Sequence, residues 1–130
     1  MILFPGSAVF HCREVFMKTY VQLLDLRDDP SLIAEYKRLH QSVWPEVIRS
    51  LRETGVIDMT IYCYGNRLVM VLKTEDHYQI DEAFQQYLNY DPACAAWEEK
   101  MDLYQMGLPG TPAGQKWVPM ESCFDLSDYA

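Results

Sequence analysis

Residues 56–73 contain two β-prone runs separated by a tight-turn sequence, and this segment constrains the fold more than any other. The runs cover residues 56–64 and 68–73, and Gly65-Asn66-Arg67 lies between them. Glycine and asparagine tolerate the positive φ angles that a tight hairpin turn requires. The two runs are therefore predicted to be neighbouring antiparallel strands.

A strand and a helix are predicted before the hairpin. Residues 20–26 alternate like a core strand, and residues 31–44 carry apolar side chains at helical spacing. Pro45 cannot donate a backbone hydrogen bond, so it either bends this helix or starts a second one, which Gly55 ends. After the hairpin we predict helices at 78–88 and 91–105, a loop at 107–112 and a last strand at 117–126.

The element order β-α-β-β-α-β predicts an α+β ferredoxin-like fold, in which helices cover one face of a four-stranded antiparallel sheet. The other face of the sheet needs a cover, and 130 residues offer no third layer. We expect a homodimer that packs sheet to sheet in a barrel-like α/β assembly, or a ligand cavity between the sheet and a partner.

Composition predicts one domain and excludes several partner classes. The net charge of −8, without a local basic patch, argues against nucleic acid and anionic membrane surfaces. No apolar run approaches the roughly 18 residues that a spanning helix needs. Residues 1–16 lack the basic start of a secretory signal, so we expect a poorly defined N-terminal extension before a single domain at 17–130. Four scattered cysteines are consistent with reduced thiols and a cytoplasmic location.

Tyr36, His40 and Trp44 are spaced four residues apart, which would place them on one face of a helix. An imidazole has an ordinary pKa of about 6.5 and therefore exchanges protons at neutral pH. Two interpretations fit the spacing alone: a catalytic wall, or a core stripe with a hydrogen-bonded histidine. Trp97 is likewise either a sugar-stacking ring or a core residue.

Other candidate groups have simpler interpretations. His11 and His77 are expected to be solvated or capping side chains, and the pairs Asp81-Glu82 and Glu98-Glu99 are expected to lie on solvated helix faces. No spacing typical of a metal site is present, so the predicted chemistry uses neither metal nor cofactor.

The first helix carries a combination that resembles the L-rhamnose mutarotase family, which includes related L-fucose mutarotases. Tyr36 is followed by His40, then by Trp44-Pro45-Glu46, and Gly55 ends the helix before an aromatic strand. Residues 94–97 (CAAW) resemble the tryptophan-bearing last helix of that family, and residues 120–124 (MESCF) resemble its final strand. The resemblance covers residues 17–126.

The resemblance implies a dimeric ferredoxin-like enzyme that interconverts sugar anomers. It implies that His40 is the catalytic histidine, and that Tyr36 and Trp97 contact the sugar, while Trp44 lines either the pocket or only the core. Met59 and Glu98 depart from the rhamnose-type pattern, which has a tyrosine and a second tryptophan at these positions. The preferred sugar, L-rhamnose, L-fucose or a related 6-deoxy-aldose, therefore stays open.

Two rival functions also fit the predicted fold. Dimeric ferredoxin-like proteins include cofactor-independent monooxygenases, which would require dioxygen. A non-catalytic sugar-binding module would bind a monosaccharide without accelerating anomer exchange.

Overall fold

The computed structural model describes residues 17–112 and 114–129, so the predicted extension at 1–16 and His11 lie outside the described residues. In chain order the elements are β1 (Met17–Leu26), α1 (Pro30–Leu39), α2 (Pro45–Glu53), β2 (Val56–Tyr64), β3 (Arg67–Glu75), α3 (Ile80–Tyr90), α4 (Pro92–Met101), β4 (Gln105–Met106), β5 (Val118–Pro119) and a 3-10 helix (Leu126–Asp128).

The antiparallel sheet has the strand order β2-β3-β1-β4, and β5 pairs with the same edge of β1 as β4. This is the order of a ferredoxin-like fold, with β1 in the interior of the sheet. The predicted hairpin is confirmed, since Tyr64 pairs with Arg67 around Gly65, whose φ is +59°.

Helices cover one face of this sheet. On β3, Leu68, Met70 and Leu72 are buried against the helices, whereas Val69 and Val71 point to the opposite face and are only partly buried. The core joins side chains from β1, β3 and all four helices: Leu26, Tyr36, Val47, Leu68, Tyr87, Cys94, Trp97, Met101 and Tyr104. The face with Val69 and Val71 has no covering layer within the described residues.

The helix between β1 and β2 consists of two pieces. Asp29 caps α1 by accepting hydrogen bonds from the backbone N–H groups of Ser31 and Leu32. α1 ends at Leu39, and α2 begins at Pro45, whose missing N–H has no helical partner to lose at the first position. Of the two predicted outcomes, Pro45 therefore starts a second helix.

The last part of the chain differs from the sequence prediction. The helix expected to reach residue 105 ends at Met101, and Gln105–Met106 instead pairs with β1. The strand expected at 117–126 is only Val118–Pro119, after which the Met120 N–H still bonds to the Val21 carbonyl at 2.7 Å. Proline cannot donate to a strand ladder, and Asp125 caps a short turn of 3-10 helix instead of continuing the sheet.

Within the described parts of the chain, no helix is both long enough and apolar enough to cross a membrane.

Candidate active site

His40 is the residue directly after α1, and the end of the helix fixes its imidazole. The Tyr36 carbonyl accepts a hydrogen bond from the His40 backbone N–H at 3.2 Å, and the imidazole Nδ1 lies 2.8 Å from the same oxygen. A carbonyl oxygen only accepts, so Nδ1 carries the proton and donates it. In the neutral ring, Nε2 is then the atom with the free lone pair.

The surroundings of His40 keep this ring neutral. Burial lowers the pKa of His40 below its ordinary value, and the hydrogen bond to Tyr36 offsets this only in part. Among the described residues, no group forms a hydrogen bond with Nε2. Every fully buried polar side-chain atom in these residues does have a hydrogen-bond partner, so Nε2 is not fully buried. Nε2 is therefore open to solvent and can accept a proton at neutral pH.

His40 lines a cavity of about 210 Å³ between α1 and the hairpin. Its lining residues are Tyr36, Lys37, His40, Gln41, Ile61, Cys63 and Leu68. This volume is smaller than the roughly 300 Å³ at which pockets for drug-sized ligands begin, and it fits a molecule of monosaccharide size. A larger cavity of about 280 Å³ lies in the loop from Gly107 to Lys116, but neither histidine nor carboxylate lines it. We therefore take the His40 cavity as the candidate active site.

The four side chains selected from the sequence form one aromatic cluster. The rings of Tyr36 and His40 are 4.2 Å apart between centroids, and the ring of Trp97 meets His40 edge-on at 5.5 Å. Trp44 contacts Trp97 at 5.1 Å. Trp97 is only 4% exposed and packs against the imidazole, and neither Trp44 nor Trp97 is among the residues that line the cavity.

The Tyr36 phenol is buried, and its hydroxyl points toward Gln105 on β4. Burial raises the pKa of Tyr36 to about 12, and a hydrogen bond with the Gln105 side chain offsets part of this rise. The phenol therefore stays protonated at neutral pH and can act as a hydrogen-bond donor. Tyr36 is one of the residues that line the cavity, although it is only 3% exposed.

Glu98 is not on a solvated face, contrary to the sequence prediction. The Tyr87 hydroxyl donates to its carboxylate at 2.9 Å, and burial raises the pKa of Glu98 against the opposing effects of Tyr87 and Lys116. Its neighbour Glu99 is exposed, as expected. A helix turns about 100° per residue, so adjacent residues face different surroundings, and here α3 covers the Glu98 side.

The remaining candidates match their simpler interpretations. His77 is exposed and lies 3.2 Å from Glu75 in the turn after β3, and Asp81 and Glu82 are exposed on α3. Among residues 17–112 and 114–129, no group of three or more histidine, cysteine or acidic side chains could hold a metal ion.

Sequence reasoning missed most of the cavity lining. Lys37 and Gln41 each follow a selected residue by one position in the sequence, so a helical projection could have placed them at the cavity edge. Ile61 and Cys63 alternate on β2 and face α1, which strand periodicity indicates only once the helix layer is known.

Comparisons with known proteins give consistent results. A sequence profile of the L-rhamnose mutarotase family matches residues 19–126. An L-fucose mutarotase of Xanthomonas campestris is 39% identical over 115 residues, which cover 86% of this chain and 90% of that protein. An L-rhamnose mutarotase of Burkholderia ambifaria is 34% identical over 94 residues, which cover 71% of this chain and 86% of that protein.

A solved structure shows the same fold. The crystal structure of an L-rhamnose mutarotase from Formosa agariphila superposes with a TM-score of 0.60 and covers 84% of this chain and 98% of that one. Sequence identity in the superposition is 20%.

Proposed function

Because the chain belongs to the L-rhamnose mutarotase family, we propose that it interconverts the α and β anomers of a 6-deoxy-aldose such as L-rhamnose or L-fucose. In this proposal, His40 is the residue that transfers the proton. The observation that carries the assignment is the hydrogen bond from Nδ1 to the Tyr36 carbonyl, which leaves a neutral imidazole with its Nε2 lone pair open at a sugar-sized cavity.

Mutarotation needs only proton transfers at two oxygen atoms. Nε2 of His40 accepts the proton of the anomeric hydroxyl O1, the bond between C1 and the ring oxygen O5 breaks, and the protonated imidazole returns the proton to O5. The product is the open-chain aldehyde. Rotation about C1–C2 then presents the other face of the aldehyde to O5, and the reverse transfers close the ring. The imidazole returns the proton that it takes, so no net charge is left on the protein.

The aromatic neighbours have supporting roles in the proposal. Tyr36 orients the sugar or relays a proton through its protonated phenol, and Trp97 holds the imidazole in place by its edge contact. Trp44 packs edge-on against Trp97 and helps to hold it in place.

The test is exchange NMR on equilibrated L-rhamnose and L-fucose with wild-type protein and with His40→Ala. A positioned acid-base group contributes about 10²- to 10⁴-fold, so the variant should lose that factor while its circular dichroism and thermal unfolding stay close to wild type. His77→Ala is the matched control, because His77 is exposed and does not line the cavity. Wild-type exchange rates in folded His40→Ala would contradict the mechanism.

The rival functions predict different results. Saturable sugar binding without accelerated exchange would indicate a binding module, and a separate assay that shows a requirement for dioxygen would indicate a monooxygenase. Acceleration of anomer exchange by wild type excludes the binding module directly.

We also propose that two copies pair through the uncovered face of the sheet. Partly buried Val118, Leu23 and Val69 stand beside exposed Tyr62 in one register row across β5, β1, β3 and β2. Exposure of such an apolar row to water is unfavourable, and a second copy of the chain packed on this face would exclude the water. Sedimentation equilibrium should give a dimer for wild type and a monomer for Val69→Lys. Phe84→Lys, on the exposed surface of α3, should stay dimeric.

A further inference from the structure

The two walls of the His40 cavity differ in chemistry. The α1 wall carries the imidazole, the amide of Gln41 and the ammonium of Lys37, all of which form hydrogen bonds with hydroxyl groups. Ile61, Cys63 and Leu68 form the opposite side, which we call the sheet wall. A ligand in this cavity therefore meets polar groups on one side and an apolar surface on the other.

The side chains of the sheet wall offer no hydrogen bond to a ligand. Ile61 and Leu68 are aliphatic, and the Cys63 thiol already donates to the Gly65 carbonyl at 3.3 Å. Cys63 is opposite Leu68 and Ile61 is opposite Met70 in the register of β2 and β3, so the side chains of the wall are packed side by side. A ligand hydroxyl pressed against these side chains would lose its hydrogen bonds to water and gain none from them.

Leu68 also gives the sheet wall a fixed shape. It is 1% exposed and belongs to the core cluster that contains Tyr36 and Trp97. A side chain in a close-packed core moves little, so it does not yield to a larger group.

The chemistry of the sugar determines which part of it reaches this wall. In a pyranose, C1 and C5 both bond to the ring oxygen O5, and C5 carries C6. A sugar whose O1 and O5 reach His40 therefore also places C6 close to the imidazole. In L-rhamnose and L-fucose C6 is a methyl group, whereas in L-mannose and L-galactose it carries a hydroxyl.

We propose that the C6 methyl of the sugar packs against the sheet wall. Ile61 is then a specificity-determining residue, which selects 6-deoxy-aldoses over the corresponding sugars with a 6-hydroxyl group. This inference rests on the proposed mutarotase function. An apolar pocket rejects a ligand that merely adds a hydroxyl by about 10²-fold at most. We therefore expect the specificity constant for exchange to be about 10- to 100-fold higher for the deoxy member of each pair.

Two matched sugar pairs test the selectivity without any mutation. Exchange NMR measures anomer interconversion of L-rhamnose against L-mannose and of L-fucose against L-galactose, each with wild-type protein. Preference for the deoxy sugar in at least one pair supports the inference. Rates that agree within about threefold in both pairs, with the deoxy sugars accelerated, would overturn it and leave the mutarotase function standing. Acceleration of none of the four sugars would overturn both.

Two substitutions at one position then test the residue. Ile61→Val and Ile61→Thr have nearly the same shape and both suit a strand, and they differ in one hydroxyl group. The threonine hydroxyl gives the sheet wall a hydrogen-bonding group for a 6-hydroxyl. We expect the deoxy preference to be about two- to tenfold smaller in Ile61→Thr than in Ile61→Val, as one new hydrogen bond would produce. Equal preference in the two folded variants would show that Ile61 does not determine specificity.

Discussion

Replacing Glu98 with glutamine should stabilise the protein at neutral pH. The Glu98 carboxyl is half-buried between α3 and α4, where the Tyr87 hydroxyl donates to it at 2.9 Å. Glutamine keeps the size of the side chain and an oxygen that can accept from Tyr87, and it removes only the charge. Since burial raises the pKa of Glu98 despite Tyr87 and Lys116, the net effect of the surroundings disfavours the carboxylate.

The sign of the pH dependence follows from proton binding. Below the ordinary glutamate pKa of 4.5 the carboxyl is protonated in the native and the unfolded chain and contributes nothing. As pH rises from there, the unfolded chain loses its proton first, so wild-type stability falls until the raised native pKa is passed. Within this window the slope approaches about 1.4 kcal/mol per pH unit, and above it the loss is constant.

Urea unfolding followed by tryptophan fluorescence, from about pH 4 to pH 8, measures this effect. The midpoint for Glu98→Gln should equal wild type at acid pH and exceed it at neutral pH, with an unchanged slope against urea. A gain of about 1 kcal/mol corresponds to about 4 °C in thermal midpoint for a chain of this size. Glu99→Gln, on the exposed side of the same helix, is the control and should show no such dependence. A Glu98→Gln variant that is less stable than wild type at neutral pH would refute the reasoning.

Three further predictions concern the site and the backbone. Anomer exchange should fall on the acid side with a midpoint below pH 6.5, because burial lowers the pKa of His40; a midpoint at or above 6.5 in the rate profile would contradict this. Tyr36→Phe should slow exchange less than His40→Ala, because it keeps the ring that packs on the imidazole; an unchanged rate would remove the hydroxyl from the mechanism. Gly55→Ala should cost about 1–3 kcal/mol in urea unfolding, since Gly55 has a φ of +109° and an added Cβ would lie 3.2 Å from Tyr78. Gly65→Asn, at an open turn with a φ of +59°, should cost less.

Local signals predicted most of the fold. The hairpin was predictable because Gly65-Asn66 and the alternation on both sides act within a few residues. The last strand was not predictable, because its length depends on which segments pair with the edge of β1. Two short segments, Gln105–Met106 and Val118–Pro119, pair with the same edge of β1. No sequence pattern within either segment indicates that they share this edge.

The candidate site was predictable only in its centre. Helical spacing brought Tyr36 and His40 together, and the structure places their rings in contact. The burial of Glu98 depends on α3 packing against α4, and the sheet wall depends on which face of β2 the helices cover. Both features result from tertiary packing, which a local sequence pattern does not indicate.

The orientation of His40 has a consequence for how such a site can change over time. Its imidazole is fixed by a main-chain carbonyl in the last turn of α1, which also accepts the backbone N–H of His40, rather than by an acidic side chain elsewhere in the fold. Every residue type supplies this carbonyl, so no mutation at a second position can remove the acceptor while the helix ends at the same place. Neighbouring side chains are then free to diverge and to adapt the cavity to different sugars, while the proton-accepting nitrogen keeps its direction.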